Sequence, residues 1–257
     1  MQPLLSGKTA IITGASKGIG LATAQLFAQH GANVVLTARR QAELDEAVAA
    51  IAAAGGKAIG VLADSADPQA PKRVFGQAIE TFGQVDIMVN NAGYGDMSSI
   101  EETSDAHFEE VVQVNYVGVF RFCREAIQHF MPRDEGVIVN VSSVNGSLPV
   151  CGVAYTSTKG AVNTMTKNIA IRFAGTGIRC NAVAPGETDT PMARAWAAGE
   201  LPGGSKMLKY SGLYVNTEVK GTQPIDQANA ILYLASDMGR AVTGRVLTVD
   251  NGAFMTA

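Results

Sequence analysis

Short apolar runs alternate with longer amphipathic segments along almost the whole chain. The apolar runs predict seven strands, over residues 8–13, 33–38, 57–62, 85–89, 136–141, 178–184 and 245–249. The segments between them carry apolar side chains at helical spacing and predict helices over residues 18–30, 41–54, 68–82, 104–130, 153–173 and 225–236. Several strands are apolar on successive residues, which is typical of a parallel sheet covered on both faces.

This order of elements predicts the class of the fold, and one segment departs from the strand–helix alternation. Repeated strand–helix units favour the α/β class, as a doubly wound Rossmann fold whose mostly parallel seven-stranded sheet carries helices on both faces. We expect a single domain over residues 1–257. Residues 193–221 lack a clear period and contain Pro202 and Gly203-Gly204. Because long loops in compact domains usually have a function, we expect a lid over residues 192–221.

Composition and charge exclude several kinds of partner. A formal net charge of -3 argues against nucleic-acid binding. No apolar run approaches the roughly 18 uncharged residues of a membrane helix, and the N-terminus lacks the features of a signal peptide. Three scattered cysteines indicate reduced thiols, and three separate histidines lack the spacing of metal ligands. We therefore expect a cytoplasmic protein without metal, nucleic-acid or membrane partners.

A glycine-rich turn joins the first predicted strand to the first predicted helix. Gly14, Gly18 and Gly20 have the spacing Gly-x-x-x-Gly-x-Gly, which differs from the common dinucleotide motif Gly-x-Gly-x-x-Gly. Glycines let the backbone turn tightly and let a pyrophosphate approach the free N–H groups of the helix N-terminus. The turn indicates a nucleotide site, and the alternative is a tight turn without a ligand.

The residues after the second strand bear on the choice of nucleotide. A carboxylate there would bind the ribose hydroxyls of NAD, whereas an arginine accommodates the 2′-phosphate of NADP. This strand is followed by Arg39 and Arg40, and Lys17 adds a third positive charge from the glycine turn. We therefore predict NADP(H) as the preferred cofactor, with NAD(H) as the alternative. Asp64, after the third strand, is expected to accept from the adenine amine or to cap a turn.

Tyr155 and Lys159 lie four residues apart at the start of a predicted helix, so both side chains face the same side. A free tyrosine has a pKa near 10, which is too high for proton exchange at neutral pH. A nearby cation favours the phenolate and lowers that pKa. The pair is therefore a candidate acid–base unit.

Motifs spread over nearly the whole chain resemble those of the short-chain dehydrogenase/reductase family, in its single-domain branch of this length. They are Thr13-Gly14-x-x-x-Gly18-x-Gly20, Asn90-Asn91-Ala92-Gly93, Asn115, Ser142-Ser143, Tyr155-x-x-x-Lys159, Pro185-Gly186-x-x-x-Thr190, Val242-Thr243-Gly244 and Val249-Asp250-Asn251-Gly252. In general pattern the chain is similar to 3-oxoacyl-(acyl-carrier-protein) reductases and to sugar, polyol and steroid dehydrogenases. Asn251 departs from the family, where Gly often stands.

The resemblance implies particular roles. The catalytic residues would be Asn115, Ser143, Tyr155 and Lys159, with Ser143 chosen over Ser142 and Asn115 placed at a break in the long helix. The cofactor would be bound by Gly14, Ser16, Lys17, Gly18, Ile19, Gly20, Arg39, Arg40, Asp64, Ser65, Asn91, Ala92, Gly93, Tyr155, Lys159, Pro185, Gly186, Thr188 and Thr190. The substrate would meet Ser143, Tyr94, Asn145, Cys151, Tyr155 and Trp196.

These features together predict an enzyme that interconverts a ketone and a secondary alcohol by hydride transfer from or to NADP(H). The aromatic and methionine content of the lid favours an apolar or amphipathic small-molecule substrate. One alternative function is an NAD-dependent alcohol, polyol or hydroxysteroid dehydrogenase of the same fold. A second alternative is a regulator that binds NADP and catalyses no reaction. A sugar-nucleotide epimerase would need a larger C-terminal domain. Relatives are commonly homotetramers, so we expect a homo-oligomer.

Overall fold

A single parallel sheet organises the chain in the computed structural model, which describes residues 3–203, 207, 209 and 213–254. Its strands are β1 (Thr9–Thr13), β2 (Asn33–Ala38), β3 (Lys57–Leu62), β4 (Ile87–Asn90), β5 (Glu135–Val141), β6 (Gly177–Pro185) and β7 (Val246–Val249). They lie in the order β3-β2-β1-β4-β5-β6-β7, and every neighbouring pair is parallel. The predicted doubly wound α/β fold is confirmed.

Helices connect these strands across both faces of the sheet. They are α1 (Gly18–Gln29), α2 (Gln41–Ala53), α3 (Ala70–Phe82), α4 (Asp105–Val112), α5 (Val119–Phe130), α6 (Val153–Arg172), α7 (Pro191–Ala197) and α8 (Pro224–Ala235). The long helix predicted over residues 104–130 begins after the N-cap Ser104 as expected, but a π-helical segment, Gln113–Gly118, separates α4 from α5. None of the described helices is both long and apolar enough to cross a membrane.

Two apolar layers sandwich the sheet, and neighbouring residues of one strand belong to different layers. Ile12 packs in the layer formed with α1, α2 and α8, whereas Ile11 packs in the layer formed with α3, α5 and α6. Side chains alternate between the two faces of a strand, so a strand buried on both faces must be apolar at successive positions. The continuous apolar runs of the sequence follow from this arrangement.

The predicted lid begins with a helix that its sequence pattern did not indicate. Thr190 caps α7 by accepting a hydrogen bond from the Ala193 amide at 3.2 Å, and Pro191 stands at the first helical position. Both are helix-start signals that act locally and need no hydrophobic period. An isolated bridge pairs Met97 with Gly203 and ties the lid to the body of the protein, and a second bridge pairs Thr188 with Thr222, which flank the lid in the sequence. Tyr210, another predicted lid residue, lies outside the described residues.

Gly136→Ala is expected to destabilise the fold. A Cβ at Gly136 would lie 2.1 Å from the ring of Phe130, which is fully buried between α5 and β5. Overpacking of this kind costs about 1–3 kcal/mol, and urea unfolding would measure the loss. Gly76→Ala is the matched control, because an added Cβ there meets nothing within 4 Å on an exposed turn of α3. Equal effects of the two substitutions would contradict the packing explanation.

Candidate active site

One cleft of about 970 Å³ runs along the carboxyl ends of the strands. It lies where the sheet reverses its winding order, since β1 is flanked by β2 on one side and by β4 on the other. Ligands of open parallel sheets bind at this switch point. The cleft is lined at one end by the glycine turn and at the other by Tyr155 and Trp196. Its length therefore suits an extended ligand with a second molecule at the Tyr155 end.

The glycine turn is shaped by contacts that leave no room for side chains. Gly14 has φ +63°, and a Cβ there would lie 2.9 Å from the Cα of Ala92. The Asn91 side-chain amide donates to the carbonyls of Thr13 and Gly14 at 2.9 and 3.0 Å. This amide joins the loop after β1 to the loop after β4. The cleft floor is thus backbone, which a phosphate can approach closely.

Gly20 lies outside the cleft lining, unlike the other predicted cofactor residues of the turn. A Cβ on Gly20 would stand 2.4 Å from the Gly14 carbonyl oxygen and 2.5 Å from the Asn91 Nδ2. The residue is therefore needed where α1 packs against the turn. Sequence spacing could not distinguish this packing requirement from direct ligand contact.

The charged end of the cleft contains a carboxylate that the sequence analysis missed. Glu43 on α2 contacts Arg40 at 2.6 Å and Lys17 at 3.8 Å, and it accepts a hydrogen bond from the Ser16 hydroxyl at 3.2 Å. Glu43 also lines the cleft together with Arg39, Arg40 and Lys17. The only sequence signal was its position three residues after Arg40 on a helix, a common spacing for ion pairs.

Asp64 satisfies one of its two predicted roles through a backbone contact. Its carboxylate accepts a hydrogen bond from the Ala66 amide at 2.9 Å, so it caps the turn after β3. Asp64 and the neighbouring Ser65 also line the cleft. A carboxylate has two oxygens and several lone pairs, so capping the turn leaves capacity for a ligand donor.

Tyr155 and Lys159 are brought together on the first turns of α6, as predicted. The Lys159 ammonium lies 5.5 Å from the centre of the Tyr155 ring. It is almost fully buried and donates a hydrogen bond to the Val141 carbonyl, at the end of β5, at 2.9 Å. This bond fixes the helix that carries Tyr155 to the sheet edge where the cleft opens.

The pKa values of this pair shift in directions set chiefly by burial. Desolvation raises the pKa of the Tyr155 phenol above its usual value, while a hydrogen bond with Ser143 acts in the opposite sense. Desolvation lowers the pKa of Lys159 to about 8. The spacing of Tyr155 and Lys159 predicts a lowered phenol pKa, whereas the folded chain by itself raises it, because removing a phenolate from water is costly.

The two neighbouring serines have different partners. The Ser142 hydroxyl donates to the backbone carbonyl of Lys159 at 3.2 Å, which ties it to α6. The Ser143 hydroxyl oxygen accepts from the backbone amide and from the side-chain amide of Asn145, both at 3.1 Å. Ser143 is also the serine whose hydroxyl acts on the Tyr155 phenol and lowers its pKa. Both serines and Asn145 line the cleft.

Asn115 lies in the π-helical segment, at the break where it was expected, but its side chain does not line the cleft. Its amide forms two hydrogen bonds with the backbone of Tyr94, accepting from the N–H at 2.7 Å and donating to the carbonyl at 2.9 Å. A Cβ on Gly93 would lie 3.6 Å from both the Asn115 Oδ1 and the Lys159 Nζ. Asn115 thus holds the loop after β4 beside Lys159.

The loop after β6 completes the cleft on the side opposite Asn91. Pro185, Gly186, Thr188 and Thr190 all line it, as predicted. The Thr188 hydroxyl is 2.9 Å from that of Thr222, and Gln227 on α8 donates to Thr222 at the same distance. This buried polar network holds the loop in place.

The Tyr155 end of the cleft has mostly apolar walls. Tyr94 and Trp196 line it as predicted, and further apolar side chains come from Val144, Val150, Met192, Val215 and Phe254. Phe254 carried no sequence signal, because its approach depends on the chain folding back after β7. Cys151 was predicted as a wall residue and is instead buried outside the lining. Burial raises the pKa of its thiol, and the charge of Asp96 acts in the same direction.

The donor set fits a nicotinamide dinucleotide better than a metal. Among the described residues no group of three or more His, Cys, Asp or Glu side chains is placed to hold a metal ion. The cleft instead offers a side-chain-free backbone floor at the glycine turn, with the cationic side chains of Lys17, Arg39 and Arg40 in its lining. These are the features that dinucleotide recognition requires.

Comparison with known proteins identifies the family. Residues 8–201 match the family model of the short chain dehydrogenases. The chain is 42% identical to 3beta-hydroxysteroid dehydrogenase 1 of Eggerthella lenta, over 96% of this chain and 94% of that protein. It is 38% identical to the 3beta-hydroxysteroid dehydrogenase of Mediterraneibacter gnavus, over 95% and 94% of the two chains.

A solved structure agrees with this family assignment. A dehydrogenase/reductase from Sinorhizobium meliloti superposes with a TM-score of 0.85 at 34% identity, covering 98% of this chain and 96% of the other. The chain belongs to the short-chain dehydrogenase family and is an NAD(P)-dependent oxidoreductase.

Lys159→Met is expected to stabilise the nucleotide-free protein near neutral pH. The folded-state pKa of Lys159 is about 8 against an ordinary value of 10.5, so folding opposes the protonated form. Between these two pH values the unfolded chain binds more protons than the folded chain. The loss of stability caused by burying protonated Lys159 is therefore at its full size below pH 8 and vanishes above pH 10.5. We expect the free energy of unfolding to increase by about 1–3 kcal/mol at pH 7. The Val141 carbonyl, which loses its hydrogen-bond donor in the variant, reduces this gain, and the gain shrinks toward pH 10.

Urea unfolding at several pH values would measure this gain. Lys167→Met, on an exposed position of the same helix, is the control and should show no comparable gain. A Lys159→Met protein that is less stable than the parent at every pH would contradict the assigned burial cost.

Proposed function

We propose that the protein is an NADP(H)-dependent oxidoreductase that interconverts an apolar ketone and its secondary alcohol, with Tyr155 as the acid–base residue. The observation that supports this most directly is the meeting of Tyr155, Lys159 and Ser143 at one end of a cleft that begins at the glycine turn. When bound, the nicotinamide cofactor supplies or accepts the hydride.

Tyr155 would deliver a proton to the substrate oxygen during ketone reduction and remove it during alcohol oxidation. A raised phenol pKa keeps Tyr155 protonated, which suits the acid role. In the oxidation direction the phenolate must form, and the positive charge of Lys159 would stabilise it. Ser143 would donate a hydrogen bond to the substrate oxygen, where negative charge develops. Asn115 would act by holding the loop beside Lys159.

Cofactor binding would use the two loops that face each other across the switch point. The glycine turn would hold the pyrophosphate at the N-terminus of α1, where backbone N–H groups are free. Asn91, Ala92 and Gly93 would pack along the adenosine ribose, and Thr190 would bind the nicotinamide carboxamide. Lys159 would also hold the nicotinamide ribose.

The substrate would be a largely apolar ring system that carries a ketone or a hydroxyl group. The aromatic and aliphatic side chains at the Tyr155 end support this, together with the hydroxysteroid activities for which the two relatives are named.

NADP(H) remains the preferred cofactor in this proposal, with Glu43 as a competing element. Arg39, Arg40 and Lys17 would bind the 2′-phosphate, but Glu43 neutralises part of their charge. The ion pairs are partly exposed to solvent, and such pairs contribute little, about 0–1 kcal/mol each. A 2′-phosphate could therefore displace them, and the carboxylate favours NAD(H) only weakly. An NAD-dependent hydroxysteroid dehydrogenase is the second candidate, and Glu43 is the observation in its favour.

Tyr155→Phe is expected to lower turnover by about a hundredfold or more, because general acid catalysis typically contributes 10²–10⁴-fold. Purified protein would be assayed with NADPH and ketosteroids, 3-oxoacyl thioesters and sugar ketones. The thermal shift on adding NADPH should persist in the variant, which separates cofactor binding from chemistry. A Tyr155→Phe protein with most of the parent's turnover on an active ketone would overturn the mechanism.

Glu43→Gln is expected to lower the KM for NADPH about three- to tenfold and to leave the KM for NADH within about twofold, because it frees Lys17 and Arg40 for the phosphate. Glu46→Gln, on an exposed position of the same helix, removes the same charge away from the cleft. Equal effects of both variants would show a general charge effect and contradict a local role.

A further inference from the structure

Ser143 begins a tight turn that directly follows β5. Its hydroxyl caps the 3₁₀ turn Val144–Gly146 by accepting a hydrogen bond from the Asn145 amide. The Asn145 side chain folds back and donates a second hydrogen bond to the same oxygen at 3.1 Å. Asn145 is only 6% exposed, so these bonds lie in a weakly screened environment.

The turn is held rigidly against α6, which limits how Asn145 can move. A Cβ on Gly146 would lie 2.5 Å from the Asn163 Nδ2 and 2.9 Å from the Lys159 carbonyl oxygen. The turn therefore packs directly on the helix that carries Tyr155 and Lys159. Asn145 and Tyr155 keep a fixed separation as long as this packing holds.

The hydrogen bonds from Asn145 limit what the Ser143 hydroxyl can do. A serine hydroxyl has two acceptor lone pairs and one donor hydrogen. Two N–H donors from Asn145 occupy both lone pairs of Ser143. The hydroxyl can then only donate, and the Tyr155 phenol, which lines the same cleft and whose pKa Ser143 lowers, is a group toward which it can point.

We propose that Asn145 is a positioning residue that acts through Ser143, forcing the serine hydroxyl to donate toward Tyr155 and the substrate oxygen. This inference rests on the proposed function and deepens it. Without Asn145 the hydroxyl could rotate and accept from the phenol, which would remove the donor that the developing oxyanion needs. Asn145 itself touches neither reacting atom.

A direct substrate contact is the competing role for Asn145. Its Oδ1 is buried without a hydrogen-bond partner, and the residue lines the cleft. A substrate hydroxyl could meet this oxygen. Such a contact would add binding energy common to substrate and transition state, so its loss would raise KM and leave kcat unchanged. A positioning role predicts the reverse.

The first test compares Asn145→Ala and Asn145→Asp in steady-state ketone reduction. We expect both to lower kcat about tenfold, the equivalent of one hydrogen bond, while KM changes less than about threefold. Aspartate keeps the shape of asparagine but donates no hydrogen bond when ionised. Because position 145 is buried, the pKa of the new carboxyl should lie above its ordinary value of about 4. The activity of Asn145→Asp relative to the parent should therefore recover as pH falls from 8 toward 5 and the carboxyl becomes protonated and can donate again. Asn145→Ala should show no such recovery.

The second test needs no turnover. Melting temperatures of Asn145→Ala, Ser143→Ala and the double variant form a cycle, and residues in direct contact give non-additive losses. We expect the double variant to lose clearly less than the sum of the single losses. Additive melting losses, or a KM increase with unchanged kcat, would overturn the proposal. If the parent protein reduces no ketone, the proposed function fails, while the melting cycle still reports on the contact between Asn145 and Ser143.

Discussion

The buried ammonium of Lys159 is the constraint around which the active site is organised. It donates to the Val141 carbonyl and so fixes α6 to the end of β5. Burial lowers its pKa to about 8, so the folded protein retains a cation at a cost in stability. The same cation lies beside Tyr155, whose burial makes a phenolate unfavourable. A single lysine thus links the packing of the helix to the proton transfer that we propose for Tyr155.

The parallel sheet explains why residues far apart in the chain meet in one cleft. All seven strands run in the same direction, so the loops after β1, β4, β5 and β6 emerge at the same edge. Asn91 joins two of these loops through the carbonyls of Thr13 and Gly14. The Thr188–Thr222–Gln227 network anchors a third. The cleft is therefore held by hydrogen bonds that are part-buried at Asn91 and buried at Thr188, Thr222 and Gln227, and such bonds cost more to break than exposed contacts.

The polar contacts at the two ends of the cleft differ in their exposure to solvent. Glu43, Lys17 and Arg40 form partly exposed ion pairs, which water and salt screen. Ser143 and Asn145 form buried hydrogen bonds, where a missing partner is costly and geometry is strict. The contacts at the charged end can consequently be exchanged at small cost. The catalytic end allows little variation in the direction of its donors.

The sequence by itself determined the order of the strands and helices, the class of the fold and most of the cleft lining. Successive apolar residues revealed strands buried on both faces, and the glycine turn and the Tyr155–Lys159 spacing identified the two ends of the site. These signals are local, because they depend on backbone geometry and on side-chain periods within one element. Helix α7 was missed because its start depends on a cap and a proline instead of on a period.

Only the tertiary structure decided what depends on contacts between distant segments. It assigned Gly20 to packing of α1 and buried Cys151 outside the cleft. It brought Glu43 against Lys17, and Phe254 into the apolar wall. It also reversed the expected direction of the Tyr155 pKa shift, because spacing reveals a neighbouring charge but not the depth of burial. Desolvation is a property of the assembled fold, and no local pattern of residues encodes it.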